Sequence, residues 1–214
     1  AVRLGHDLSG DDTVQSKANF YRDRARTYRL ENPAAEIRYE RATEWMNPRS
    51  GQTFLEVGCK FGLLRKTLAK SGVEHRYVGI DIDPATLLKT RAPEKHEELV
   101  CHDLNEGIPL AADSVDWILA LEIMEHLENP THFLSECRRV LREGGRLILS
   151  VPNPYCWQEV VANLRKRPDT EGHVASFTSQ NMNALLGFAG LEELARKGTY
   201  TQIPYSQRVL GRRL

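Results

Sequence analysis

The sequence lacks three features that would place it in a broad protein class. No apolar run approaches the roughly 20 residues that cross a bilayer, and the N-terminal region holds no signal-peptide core. Basic residues are not in excess, because 29 Lys and Arg balance 29 Asp and Glu. Internal repeats and low-complexity segments are also missing. We therefore expect a cytoplasmic protein with no membrane span, and the balanced charge argues against a general binder of nucleic acid or anionic membranes.

Cysteine is scarce. Four cysteines occur in 214 residues, at Cys59, Cys101, Cys137 and Cys156, and no two of them form a C-x-x-C pair. A chain of this length can bury a sizeable apolar core without disulfides, and 41% of its residues are apolar. We predict reduced thiols in a globular protein. The sequence leaves open whether it is a monomer or a homodimer.

Short apolar runs alternate with amphipathic helices over the larger part of the chain. The runs cover residues 53–57, 76–80, 97–101, 115–121 and 146–151, and the helices predicted between them cover 62–71, 84–91 and 131–142. This alternation is typical of parallel strands joined by crossover helices. The sequence predicts an α/β fold with a Rossmann-like, doubly wound, mainly parallel sheet and helices on both faces.

The two ends of the chain differ from this pattern. Residues 1–12 are polar and are expected to be loose, and two amphipathic helices are predicted before the first strand, from Thr13 to about Leu30 and again after Pro33. We assign residues 1–48 to an N-terminal extension and helical cap. Residues 49–214 form the main domain, which makes a single globular unit with the cap.

The sequence does not decide how the predicted sheet ends. Residues 190–203 read as its sixth strand. Residues 204–214 alternate poorly between apolar and polar side chains, so the sequence leaves a seventh strand unresolved.

The residues that follow the first two strands suit a nucleoside ligand. Parallel sheets bind ligands at the carboxyl ends of their strands. Gly58 and Gly62 allow a tight turn and close packing of the next helix, although glycine turns of this kind are common in α/β domains. Asp81 lies 19 residues beyond Gly62, where an acid can accept hydrogen bonds from ribose hydroxyls. Asp83 precedes Pro84 and is predicted to cap the next helix.

The third strand is followed by Asp103 and Leu104, an acceptor beside an apolar surface. This pair suits the amino group and ring of adenine, and an ordinary Asp turn is the simpler alternative. Lys60 stands in the first turn, where a small residue is usual. Its side chain either narrows the approach to the ligand or points into solvent, and its ammonium could pair with a carboxylate of the ligand.

Four segments in this order resemble the class I S-adenosylmethionine-dependent methyltransferases: EVGCKFG, GIDID, HDLNEGIPLAADSVDWILALEIMEHLENP and LREGGRLILSVPN. The likeness covers about residues 15–203 and is strongest over 54–153, while Lys60 departs from the family's G-x-G-x-G turn. The resemblance implies S-adenosylmethionine as cofactor. It also implies which residues contact this cofactor along its length, from the methionine end and the sulfonium to the adenine. They are Glu56, Gly58, Cys59, Gly62, Asp81, Ile82, Asp103, Leu104, Leu121 and Glu122.

The charge of these residues agrees with that cofactor. A sulfonium cation is favoured beside carboxylates, whereas a pyrophosphate is repelled by them. The chain also has no G-x-G-x-x-G triple at this turn. Both observations argue against a dinucleotide-dependent dehydrogenase.

The sequence EIMEH places Glu122, Glu125 and His126 at i, i+3 and i+4, which is one face of a helical turn. Two carboxylates and an imidazole suit a divalent cation such as Mg²⁺, and His173 on the segment after the fifth strand would complete the site. E-x-x-E-H with a later His resembles two branches of the family, the ubiquinone-pathway O-methyltransferases and the small-RNA 3′-terminal 2′-O-methyltransferases. In both, a metal can orient the substrate hydroxyl.

Two alternatives to the metal site stay open. His126 could act without metal as the general base, or the cluster could only cap the next helix. We assign catalysis to His126 and His173 and predict O-methylation of a small-molecule acceptor. An RNA 2′-O-methyltransferase is the alternative, which the basic residues 165–167 support only modestly, and a non-catalytic protein that binds cofactor or a partner is another.

Overall fold

A computed structural model describes residues 2–4, 20, 21, 23, 33–90, 96–199 and 206–213 of the protein. Contacts divide the chain into two units, Ala1–Glu106 and Gly107–Leu214. The predicted boundary between residues 48 and 49 remains a prediction. Among the described residues, no helix has both the length and the apolar character needed to cross a membrane.

In its described part, the first unit contains parallel strands in the order β1, β4, β3, β2. Their bounds are Val2–Leu4 for β1, Gln52–Val57 for β2, His75–Asp81 for β3 and Glu97–Cys101 for β4. The helices are α1 (Pro33–Thr43), α2 (Leu63–Ser71) and α3 (Pro84–Lys89), with a 3₁₀ turn at Leu104–Glu106. From Thr53 onward every residue of β2 is buried, as expected for a strand covered on both faces.

The described part of the second unit has strands in the order β5, β6, β8, β7, in which β5 and β6 are parallel and β8 is antiparallel to both neighbours. The strands are Val115–Leu121 (β5), Leu141–Pro152 (β6), Leu191–Thr199 (β7) and Ser206–Arg213 (β8). The helices are Pro130–Val140 (α4), Trp157–Leu164 (α5) and Ser179–Phe188 (α6), with a 3₁₀ turn at Met124–His126.

The predicted alternation of strands and helices is confirmed, with the strands at 97–101 and 115–121 at their predicted bounds and the other elements shifted by one to a few residues at their ends. Strand β8 answers the question left open by residues 204–214, because its pairing with β6 and β7 supplies a last antiparallel strand. The expectation of a loose start is wrong for residues 2–4, which pair with β4. The helix predicted from Thr13 to Leu30 lies outside the described residues except for positions 20, 21 and 23, which are helical.

Asp83 caps α3 as predicted. Its side chain accepts hydrogen bonds from the backbone N–H groups of Ala85 and Thr86, and Pro84 occupies the first helical position. The four cysteines are free and buried.

A carboxylate is buried in the middle of β2. Glu56 is fully buried, and its two oxygens accept hydrogen bonds from the hydroxyl groups of Tyr39 and Tyr77, each at 2.5 Å. Tyr39 lies on α1 and Tyr77 on β3, so one side chain connects three elements of the first unit. Burial raises the pKa of Glu56 to about 7, although the two hydroxyl donors act in the opposite direction.

We expect the free energy of unfolding to fall as pH rises from about 5 to 8. The pKa of Glu56 is higher in the folded chain than in the unfolded chain, so its contribution is fully present below its ordinary pKa and is lost as pH rises through about 7. The difference corresponds to on the order of 3 kcal/mol. The free energy of unfolding in urea, measured for the wild type and Glu56→Gln at several pH values, gives this difference. The variant carries no titrating group at position 56.

Glu74→Gln is the matched control for that experiment, because it removes the same charge from a side chain that is 76% exposed. It should keep the wild-type dependence on pH. An equal slope in the wild type and Glu56→Gln would contradict the assignment of the effect to Glu56.

Candidate active site

The turn between β2 and α2 is built on left-handed backbone conformations. Gly58 and Gly62 both have φ of 66°, which costs glycine little. A Cβ atom at Gly62 would lie 2.7 Å from Cδ of Arg65, so this position has no room for a side chain without rearrangement. The Gly62 N–H donates to the carbonyl of Cys59 at 2.7 Å, which closes the turn directly before α2. The predicted roles of the two glycines in the turn agree with this geometry.

Lys60 also adopts a left-handed conformation, with φ of 45°. Its N–H donates to Oδ2 of Asp81 at 2.8 Å, and its carbonyl accepts a hydrogen bond from the Thr90 hydroxyl at 3.1 Å. The Lys60 side chain is exposed. Of the orientations considered from the sequence, the structure therefore shows the one in which the side chain points to solvent.

Asp81 ends β3 as a carboxylate held by the backbone. Its Oδ1 accepts from the N–H of Asp83 at 3.0 Å and its Oδ2 from that of Lys60. Partial burial raises the pKa of Asp81, and the backbone donors oppose this shift. Each carboxylate oxygen can accept more than one hydrogen bond, so this arrangement orients an acceptor that can also receive ligand hydroxyl groups.

The strand end after β4 contains Asp103 and Leu104. Asp103 Oδ1 accepts hydrogen bonds from the backbone N–H of Asn105 at 2.9 Å and from its side-chain amide at 2.7 Å, which is the ordinary Asp turn considered as the alternative. Leu104 is buried. The N–H of His102 donates to the carbonyl of Asp81, so the ends of β3 and β4 lie together.

Cys59 and Ile82 complete the predicted contacts in the first unit. Cys59 is buried, and burial raises the pKa of its thiol well above the ordinary value. Its N–H donates to the carbonyl of Ile80 at 3.0 Å, which joins the turn to β3. Ile82 is half-buried and follows Asp81 directly. The structure thus brings the turn and the ends of β3 and β4 together within this unit.

Leu121 and Glu122, the other two predicted cofactor contacts, lie in the second unit at the end of β5. Leu121 is buried. Glu122 has φ of 54°, a strained conformation for a residue with a side chain. Its N–H donates to the Ser150 carbonyl at 3.0 Å, and its Oε1 accepts from the Ser150 hydroxyl at 2.6 Å.

A group of possible metal ligands is formed by Glu125, His126 and His173. One ligand atom from each lies within 4.8 Å of the others. Glu125 is 1% exposed, and its Oε1 is 3.9 Å from Nε2 of His126. The rings of the two histidines are 5.0 Å apart. Residues far apart in sequence therefore converge on one position, as the sequence analysis expected for His126 and His173.

Glu122 is not a member of this group. The expectation that Glu122, Glu125 and His126 share one helical turn is wrong, because the helical turn is a 3₁₀ turn that begins at Met124. The backbone bends at Glu122, and its carboxylate is directed to Ser150 on β6. The described group thus has one carboxylate and two imidazoles, whereas the sequence predicted two of each.

The alternative in which the cluster only caps the next helix is also wrong. The cap of α4 is Asn129, whose side chain accepts a hydrogen bond from the N–H of His132. Pro130 occupies the first helical position. The described cap therefore uses neither carboxylate of the E-x-x-E-H sequence.

Each histidine of the cluster has an oxygen beside its Nδ1. The Gly172 carbonyl lies 3.2 Å from Nδ1 of His126, and Oδ2 of Asp169 lies 2.8 Å from Nδ1 of His173. A carbonyl oxygen can only accept, so Nδ1 of His126 carries the ring proton and Nε2 keeps its lone pair. This is the usual arrangement of histidines that bind a metal or accept a proton through Nε2.

A pocket of about 270 Å³ adjoins His173. Two carboxylates line the pocket, and among the described residues neither Lys nor Arg does. The lining residues are Pro152, Pro154, Glu159, Asn163, Asp169, His173, Val174, Ala175, Ser176 and Phe177. A pocket of this character accepts neutral or cationic groups more readily than phosphates.

Sequence reasoning missed the residues that support the histidines of this cluster, namely Asp169 and the Gly172 carbonyl, and it missed Ser150, which binds Glu122. A signal existed for Asp169, since Asp followed by polar residues and Gly is typical of an Asx turn. Its contact with His173 is also local, four residues along the chain. Tyr39 and Tyr77 were missed because an aromatic residue in a helix or strand gives no sign that its hydroxyl meets a buried carboxylate.

Comparison with known proteins relates the chain to methyltransferases. The family profile described as "Methyltransferase domain" matches residues 55–149. A probable S-adenosylmethionine-dependent methyltransferase of Mycolicibacterium smegmatis is 33% identical over 143 residues, which cover 67% of this chain and 53% of that protein. A ubiquinone biosynthesis O-methyltransferase of Cereibacter sphaeroides is 29% identical over 161 residues, which cover 71% of this chain and 64% of that protein. The chain therefore spans less than two thirds of either relative.

Solved structures show the same fold. Magnesium protoporphyrin IX methyltransferase from Synechocystis, solved with bound SAH, has a TM-score of 0.69 at 18% identity and covers 94% of this chain and 96% of its own. A SAM-dependent methyltransferase from Aquifex aeolicus has a TM-score of 0.66 at 20% identity and covers 90% and 98%. These likenesses confirm the predicted Rossmann-like α/β fold class. The matched domain and the sequence relatives carry the family assignment: the chain belongs to the class I S-adenosylmethionine-dependent methyltransferases.

Proposed function

We propose that the chain transfers a methyl group from S-adenosylmethionine to an oxygen atom of a small-molecule acceptor. The observation that carries this proposal is the group of Glu125, His126 and His173, of which His173 lines the 270 Å³ pocket. An acceptor hydroxyl needs a partner that takes its proton, and an imidazole that carries its own proton on Nδ1 can take it on Nε2. Several relatives are named ubiquinone biosynthesis O-methyltransferases, which supports oxygen as the target.

The strand ends of the first unit fit the cofactor. Asp81 offers a carboxylate already oriented by two backbone N–H groups, which suits the two ribose hydroxyls. Asp103 and Leu104 would contact the adenine, with Ile82 beside it. When bound, S-adenosylmethionine supplies a methyl group on a sulfonium, which is a good leaving group.

For Glu56 we infer a role other than the direct contact that the family resemblance implied. Both of its oxygens accept tyrosine hydroxyls, and the side chain is fully buried. We infer that Glu56 supports the turn through Tyr39 and Tyr77. The methionine end of the cofactor would then meet the backbone of the turn at Gly58 and Gly62.

Glu125, His126 and His173 would hold a divalent cation at the position where their ligand atoms converge. Two imidazole nitrogens and one carboxylate suit a borderline cation such as Mn²⁺ or Zn²⁺ better than Mg²⁺, which prefers oxygen ligands. The cation would orient the acceptor hydroxyl and lower its pKa. Without it, Nε2 of His126 or His173 would take the proton directly.

A second candidate, methylation of RNA ends, rests on the exposed Arg165, Lys166 and Arg167 after α5. The carboxylates of Glu159 and Asp169 in the pocket lining oppose it, because they repel a phosphate. Binding to a short RNA that weakens steeply with salt would favour the RNA candidate. Binding that is absent or independent of salt would remove it.

Binding of S-adenosylmethionine tests the first half of the proposal. Calorimetric titration of the wild type should give a measurable affinity. Asp81→Asn should lower it about 10- to 100-fold, because charge-assisted hydrogen bonds to the ribose are lost. Asp113→Asn is the control for the loss of one negative charge, since Asp113 is 60% exposed. Wild-type affinity in Asp81→Asn would contradict the ribose role.

Two substitutions separate the backbone effect of Lys60 from its charge. Lys60→Gly should raise the free energy of unfolding by roughly 1 kcal/mol, because glycine adopts φ of 45° without steric cost. Lys60→Ala keeps the strain and should leave stability near the wild type. Both variants should bind S-adenosylmethionine nearly as the wild type does, since the side chain is exposed. A tenfold loss in both would show instead that the ammonium pairs with the cofactor.

The cluster is tested with Mn²⁺ as the probe. Glu125→Gln should weaken Mn²⁺ binding by at least about tenfold, while Glu128→Gln, with the same charge change three residues on, should bind as the wild type does. Formation of S-adenosylhomocysteine with a panel of phenols and catechols then reports activity, with and without a chelator.

The chelator separates the two roles of the histidines. Activity that resists chelation but is lost in His126→Gln identifies a base without metal. Full activity in both Glu125→Gln and His126→Gln would contradict either role for the cluster.

A further inference from the structure

We propose that Asp169 is a positioning residue that keeps the ring proton of His173 on Nδ1 and so leaves the lone pair on Nε2, where a ligand can meet it. The inference rests on the function proposed for that cluster, and it adds a residue to which neither the sequence patterns nor the comparisons assign a role. Asp169 itself would not touch the cation or the acceptor oxygen. It would act through the imidazole of His173.

The two carboxylate oxygens of Asp169 have different partners. Oδ1 accepts three backbone N–H groups, from Glu171 at 2.8 Å, Gly172 at 2.6 Å and His173 at 3.1 Å. Oδ2 lies 2.8 Å from Nδ1 of His173. A turn of this kind needs only one oxygen. The second oxygen is therefore available to act on the histidine ring.

Distances decide which nitrogen of His173 carries the proton. A neutral imidazole has one N–H, and an ionised carboxylate can only accept. The other carboxylate near the ring, that of Glu171, has its Oε2 3.7 Å from Nε2, which is beyond hydrogen-bond range, whereas Asp169 is at 2.8 Å from Nδ1. The proton therefore lies on Nδ1.

The same turn reaches the second histidine. The Gly172 carbonyl, on the turn closed by Asp169, lies 3.2 Å from Nδ1 of His126. The following segment is attached to the cluster, because the N–H groups of Val174 and Ala175 donate to the carbonyl of Glu125 at 2.8 and 3.2 Å. Asp169 thus sets one ring directly and the other through the backbone.

An imidazole held in this way presents a defined Nε2. Carboxylates and carbonyls that accept the remote N–H of a ligating histidine commonly change metal affinity or activity 10- to 100-fold when removed. His173 is 20% exposed and lines the pocket, so its Nε2 can meet a ligand. Loss of Asp169 Oδ2 should therefore alter the site while leaving the turn in place.

Asp169→Asn separates the two tasks. The amide oxygen can keep the three backbone hydrogen bonds of Oδ1, and the amide N–H₂ then takes the place of Oδ2. An N–H₂ group can only donate, so Nδ1 of His173 must accept and the ring proton must move to Nε2. The variant should unfold at the urea concentration of the wild type within the error of the measurement, and a normal transition rules out simple misfolding.

Nitrogen-15 NMR of the histidine rings reads the proton position without metal, cofactor or acceptor. The two neutral tautomers of an imidazole have different ring nitrogen shifts. We expect the Nδ1–H form for His173 in the wild type and the Nε2–H form in Asp169→Asn. Glu171→Gln is the matched control, with the same charge change next to the same ring, and should keep the wild-type form.

Mn²⁺ titration gives the functional readout. Asp169→Asn should bind Mn²⁺ about 10- to 100-fold more weakly than the wild type, and Glu171→Gln should bind it with wild-type affinity. A wild-type His173 with its proton on Nε2, or a proton that stays on Nδ1 in Asp169→Asn, would overturn the inference. A proton that moves as expected while no protein binds Mn²⁺ supports the role of Asp169 and overturns only the metal part of the proposed function.

Discussion

The buried carboxylate of Glu56 is the interaction on which the first unit depends. It sits between two tyrosine hydroxyls, on α1 and β3, and the strand that carries it leads directly into the turn at Gly58 and Gly62. A buried acid without such donors would be costly, so β2, β3 and α1 must keep their relative positions. The backbone of the turn that follows β2 is therefore held in position as well. This explains how a turn containing Lys60 in a left-handed conformation can still present its N–H to Asp81.

In the second unit, backbone hydrogen bonds hold the residues of the candidate site in position. Glu125 offers its carbonyl to two N–H groups of the segment after residue 172, and Gly172 offers its carbonyl to His126. These bonds join a 3₁₀ turn and a segment almost 50 residues later in the chain. The position of the two imidazoles is thus set by the main chain and by Asp169, which suits a site whose side chains must keep a fixed orientation.

Much of the fold was predictable because it follows from local patterns. Strands such as 115–121 are short apolar runs, and Asp83 before Pro84 is a recognisable cap. The cluster was predictable only in part. His126 and His173 were paired through a family resemblance, and Glu122 was misplaced because an i, i+3, i+4 spacing assumes an α-helix, whereas the chain bends at Glu122 before a 3₁₀ turn. Asp169 was missed although its contact with His173 is local, four residues along the chain, whereas the contacts of Tyr39 and Tyr77 with Glu56 depend on tertiary packing.

The acids of the chain show why residue type alone does not define a role here. Burial raises the pKa of Glu56 to about 7, Asp83 caps a helix, and Asp169 closes a turn while contacting a histidine. Only the surroundings of each carboxylate separate a structural acid from one that can meet a cation. The sulfonium and a divalent cation both attract carboxylates, so the composition near the strand ends does not assign an acid to either proposed ligand. The backbone N–H groups and ring nitrogens around each carboxylate decide which ligand it suits.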